Sequence, residues 1–186
     1  MAAATWLESL SEYLRMESEF ASAMGRWQSF QSLAGSVAAT LLGLLFVAVS
    51  IRPTLFGRRD HPDFLSIAAK SMGLFMLVIL IALLSQIPDL RPGGMAIGLV
   101  IMAVISLANT GYQIAIMRRI LHEWGPLFFV RRILLPAAGY VILLVTSAAI
   151  YYGDDQWLLA LGLTQILFLF TGTYNAWDLL IHPGSA

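Results

Sequence analysis

Five apolar blocks dominate the chain, at residues 30–51, 64–87, 94–117, 133–152 and 156–181. Each is about 20 residues or longer, enough for a helix rising about 1.5 Å per residue to cross about 30 Å of hydrocarbon. A backbone in lipid must satisfy its own N–H and C=O groups, which leaves helices or a closed barrel. The blocks are continuous rather than alternating, so helix is the expectation. Only 12% of the 186 residues are charged and 59% are hydrophobic, against about 25% charged in soluble domains. The expected fold class is all-α: an integral membrane bundle of about five transmembrane helices. It is preceded by an amphipathic arm over residues 1–28 and followed by a short tail over 183–186.

The segments between the blocks carry breakers and charge. Arg52, Arg58 and Arg59 lie in the first connection, and Arg118, Arg119, Arg131 and Arg132 in the third. The second has only Arg91, and the fourth has Asp154 and Asp155 without a base. Basic connections close to spanning helices stay cytoplasmic, which predicts an N-terminus outside and a C-terminus inside. The first 20 residues lack a basic stretch followed by an apolar core, so the first span is expected to direct its own insertion. Thr5 and Glu8 have capping-box spacing and predict a short arm helix. Trp6, Leu10 and Tyr13 share one of its faces, continued by Met16, Phe20, Met24 and Trp27. Two placements stay open for the arm, along the interface or on the ends of its own bundle. Trp27, Tyr151, Tyr152 and Trp157 would mark the outer aromatic belt, and Trp124 and Trp177 the inner one.

Lys70 in the second block and Asp178 in the fifth are ionisable groups inside expected spans, where a central charge costs about 2.5–3.5 kcal/mol on the mildest scale. The predicted topology puts them at similar depth in the inner leaflet. Both sit close enough to the interface to snorkel or to pair as a structural clamp. Small or polar seams run along four blocks: Ser36, Thr40, Gly43 and Ser50; Ser66, Lys70 and Gly73; Ser106, Asn109 and Gln113; and Thr164, Thr171, Asn175 and Asp178. Such seams mark close helix packing in lipid, with Ser36, Thr40 and Gly43 the packing candidates. Alternatively they line a wet path, with Lys70, Asn109, Gln113, Asn175 and Asp178 the pore candidates.

The chain has no cysteine and zero formal net charge, which removes thiolate chemistry and argues against a nucleic-acid partner. His61, His122 and His182 are scattered over connections and tail without a ligand motif, so no metal or other cofactor is expected. No nucleophile elbow or phosphate loop is present, and the chain does not read as an enzyme. The arginine pairs at 118/119 and 131/132 are candidates for contact with anionic lipid or a cytoplasmic partner, beyond their topological role.

AATLLGLLFVAVSI in the first block and NAWDLLI closing the fifth resemble small multi-span bacterial inner-membrane proteins of unassigned function. The resemblance implies a bacterial plasma membrane and supplies no catalytic residues. The leading expectation is a self-associating, channel-like protein that conducts ions or small solutes. The alternative is a non-conducting accessory or regulatory subunit of another membrane complex.

Overall fold

A computed structural model describes residues 2–51, 62–117, 133–154 and 156–181. The described residues form five α-helices: α1 (Ala2–Ile51), α2 (Pro62–Ser85), α3 (Pro92–Met117), α4 (Leu135–Tyr151) and α5 (Trp157–Ile181). Four are long and apolar enough to cross a membrane, while α4, at 17 residues, is shorter. The protein is therefore read as a multi-pass membrane protein.

The helix starts follow local chemistry. Prolines open α2 and α3 and sit in the first turn of α4, where a missing N–H costs no helical bond. The short α2–α3 connection turns through Asp89 at φ 53°, a left-handed conformation that Asp tolerates better than most residues. The α4–α5 connection turns at Gly153, whose φ of 86° suits glycine.

The arm departs from expectation. It is no separate helix, because α1 runs unbroken for 50 residues, about 75 Å. No proline interrupts the stretch, and its Ala, Glu, Leu, Met and Arg are strong helix formers. Thr5 therefore lies inside the helix rather than capping it. Of the two placements, the arm's second half takes the one against its own bundle. Phe20 and Ala23 are buried, Glu17 pairs with Arg91 of the α2–α3 connection at 3.5 Å, and Met16 lies over Gly153. Trp157 donates its indole N–H to Asp154 at 3.1 Å, closing the adjacent connection.

Close contacts fix the helix directions. A Cβ on Gly35 of α1 would come within 2.9 Å of Ala82 of α2, and Gln28 bonds Gln86, so these two helices are antiparallel. A Cβ on Gly172 of α5 would approach Phe75 of α2 to 2.7 Å. Trp27 and Phe30 cover Gly162, and Gln31 meets Gln165, so α1 and α5 run parallel with α2 opposed to both. On the other side Gly139 of α4 faces the Phe168 ring, with the Tyr140 and Phe168 centroids 5.3 Å apart. Helix α4 packs along α3 as well, where Tyr140 and Thr110 are both buried. The resulting neighbour order is α1, α2, α5, α4, α3, with α1 also touching α5. The fully buried side chains Leu74, Phe75, Ile81, Leu99, Leu143, Leu161 and Phe168 fill the middle.

Helices in lipid gain little from leaving it, so close packing carries the association. The glycines at 139 and 43 separate that contribution. Gly139 lies on the fully buried Phe168 ring, whereas nothing approaches Gly43 within 4 Å. Gly139→Ala is expected to cost about 1–3 kcal/mol by overpacking. Gly43→Ala should leave stability unchanged or raise it by up to about 1 kcal/mol. Thermal unfolding in detergent distinguishes the two.

Candidate functional site

Intramembrane polar side chains are the natural places to look for function, because lipid offers them no partner. Two groups of them lie among α1, α2 and α5, one near the arm end of the bundle and one near the far end, while Thr110, Thr146 and Ser147 are buried on α3 and α4.

The arm-end layer is built of four glutamines. Gln165 Nε2 donates to Gln31 Oε1 at 2.8 Å, and both side chains are buried, at 0% and 1% exposure. Near the helix ends, Gln28 Nε2 donates to Gln86 Oε1 and Gln86 Nε2 donates to the Gln28 carbonyl, each at 3.3 Å. The clasp ties α1 to α5 and to α2. The Gln165 oxygen is left buried without a partner among the described residues. None of these residues stood among the sequence candidates. The seam traced along the fifth block from Thr164 to Thr171 passes beside Gln165, and Gln28 and Gln31 fall at the block boundary. The available signal was a carboxamide deep inside LGLTQILFLF, which must find a partner in apolar surroundings.

The far-end layer lies between α2 and α5. Phe75 against Gly172 fixes the register of this antiparallel pair. Ser71, four residues before Phe75, and Asn175, three after Gly172, therefore share one depth and the same contact face. Both are buried, and among the described residues Ser71 Oγ and Asn175 Nδ2 have no hydrogen-bond partner. By the same register Lys70 and Asp178 stand at matching depth at the margin of the layer, half-buried and exposed respectively, and neither lacks an interaction partner.

The other expected residues are dispersed. Asn175 is buried, but Asn109 is exposed and Gln113 half-buried on α3, which packs on α4 and so stands apart from the α2–α5 layer. The five pore candidates do not converge on one path through a single chain. Ser36, Thr40 and Gly43 face outward. The two hydroxyls donate back to the Ser32 and Ser36 carbonyls of their own helix, at 2.8 and 2.9 Å. The packed face of α1 consists instead of Gln31, Ala34, Ala38 and Leu45. A helical period places both stripes within the same apolar block, and only the partner helix decides which is covered. Thr164 and Thr171 of the fifth seam are buried as an inward face and bond the Ala160 and Leu167 carbonyls. Arg118, Arg119, Arg131 and Arg132 lie outside the described residues, as do the three histidines. Among the described residues no three acidic or histidine side chains come together as a metal ion would require.

The chain matches no family model, no curated protein and no solved structure.

The glutamine clasp is open to a double-mutant cycle. Gln31→Leu and Gln165→Leu each orphan the surviving amide and should each cost about 1–2 kcal/mol. The double variant, with neither amide left, should cost less than the sum, giving a coupling of about 0.6–1.7 kcal/mol. Unfolding in detergent measures both.

Proposed function

We propose that this chain is a subunit of a larger helical assembly in a bacterial plasma membrane, acting through its lipid-level faces without forming a pore of its own. The observation that carries this reading is the outward placement of Asn109, Ser36, Thr40 and Gly43 within apolar helices. An exposed carboxamide at span depth is costly in lipid, and a second helix relieves that cost while small residues allow it to approach closely. Fully buried Phe75, Val78 and Phe168, which lie between the two layers, also favour a sealed chain.

In this reading all five helices cross. The directions of α1, α2 and the α2–α3 hairpin make α3 parallel to α5, so α4 has to return between them. Its 17 helical residues cover about 25 Å, a deficit that local thinning or flanking residues can absorb. The arginine bias then puts the arm outside and the C-terminus inside. Arg118, Arg119, Arg131 and Arg132 would face cytoplasmic lipid or a partner. The resemblance of the first and last blocks to small bacterial inner-membrane proteins agrees with that location.

A second reading, a self-associated conductor of ions or small solutes, is favoured by the Ser71 and Asn175 layer with Lys70 and Asp178 beside it. Its path would run between copies, with Asn109 and Gln113 contributed to the shared surface. Flux and association separate the readings. Liposomes containing the purified protein should leak no faster than empty ones, and Asn109→Leu should weaken recovery of a stoichiometric complex by about tenfold. Ion flux that changes with Asp178→Asn would reject the non-conducting assembly and select the conductor.

A further inference from the structure

A cleft of about 320 Å³ opens sideways between α1 and α2, lined by Gln31, Ser32, Gly35, Ser36, Ala39, Ile79, Ala82, Leu83 and Gln86. Its composition is graded. Gln86 lies at the arm end, followed by Gln31 and Ser32, then Gly35 and Ala82, and finally Ala39 and Ile79. From residue 31 to 39 the α1 wall advances about 12 Å along the helix. No charged side chain lines it.

The polar end is a built site rather than a scatter of surface groups. Gln31 is 99% buried, since only 1% is exposed, and its oxygen already accepts from Gln165. Its NH₂ has no partner among the described residues, and the Gln165 oxygen behind it is buried and unsatisfied. Of the two groups only Gln31 lines the cleft, so its NH₂ is the one that an occupant can meet. A hydroxyl or ester oxygen supplies the acceptor it lacks, whereas an alkyl chain does not.

Shape and polarity suit one occupant. A single alkyl chain is narrow enough to lie in the trough that small side chains leave. The absence of lining charge suits a neutral head region rather than a phosphate.

We propose that the α1–α2 cleft binds a neutral membrane amphiphile, with one chain along Gly35, Ala39 and Ile79 and its hydroxyl or ester head on Gln31 and Gln86. Ser36 borders both this cleft and the face proposed for assembly, so a lipid in the cleft leaves Asn109, Thr40 and Gly43 as the surface for a partner helix.

The test uses the full chain in liposomes doped with a diacylglycerol that carries a photoactivatable diazirine in one chain. Labelling should concentrate on Ala39, Ile79 and Leu83 over the lipid-facing Ile101 and Ile105 of α3, which serve as the internal reference. Ala39→Trp fills the trough from an exposed position and should reduce the excess labelling by about tenfold. Gln31→Leu should reduce it for the diacylglycerol but not for a diazirine hydrocarbon without a head group. Should Ala39→Trp not fold, Leu83→Trp, also at an exposed residue, blocks the same trough. Labelling of Ile79 and Leu83 no greater than that of Ile101 and Ile105, or unmoved by the blocking variants, would overturn the proposal. So would an efficient disulfide between two copies of Ser36→Cys, because a second copy would then cover the cleft.

Discussion

The hydrogen bond between Gln165 and Gln31 sets the terms for the whole arrangement. A carboxamide in lipid needs a partner, and this one joins the first and last helices of the chain, 134 residues apart. Parallel helices α1 and α5 cannot be linked by a short turn; they meet here because α2 packs antiparallel to both. With α1 held against α5 by one polar bond and by Trp27 and Phe30 over Gly162, and α2 set antiparallel by its contacts with α1, the directions of α3 and α4 follow from the short α2–α3 and α4–α5 turns. Since apolar association in lipid is weak in free energy, a specific bond and a few close glycine contacts decide register where bulk hydrophobicity cannot.

The same helix that carries the clasp also carries the arm. Because α1 is continuous, the orientation of residues 2–29 is coupled to that of the span below them. Glu17 with Arg91, Met16 over Gly153 and the buried Phe20 fasten the arm at its base. Exposed ion pairs contribute little on their own, about 0–1 kcal/mol. The buried aromatic and the rigidity of an unbroken helix are therefore the stronger constraints. Trp6, at 75% exposure, sits well beyond this base and leaves the tip of the arm as an accessible aromatic feature.

Much of the fold was legible because the requirement to satisfy backbone groups in lipid converts apolar length directly into helix. Observed helix ends lie within about two residues of the block ends, apart from the start of α1. The start of α1 differs because the change in polarity between residues 1–28 and 30–51 is not a structural boundary. Polarity changes where a helix leaves the membrane, but nothing in Gly25, Arg26 or Trp27 stops its hydrogen bonding. The site was less legible. Ser36, Thr40 and Gly43 form a valid small stripe, yet Ala34, Ala38 and Leu45 form another a fraction of a turn away, and the choice between them depends on helices distant in sequence. Asn109 and Asn175 look alike in composition, and only the helix order places one outside and the other within.

The central claim is that α1 packs parallel to α5 at the level of Gln31 and Gln165, making one closed bundle from the first and last helices. The chain has no cysteine, so a cysteine pair introduced at Phe30 and Gly162 can be cross-linked in native membranes without background. Phe30 Cε1 lies 3.3 Å from where a Gly162 Cβ would stand, and the account predicts an intramolecular cross-link by a short thiol-specific bifunctional reagent. Two thiols that both react freely with a maleimide yet are never bridged to one another would contradict it.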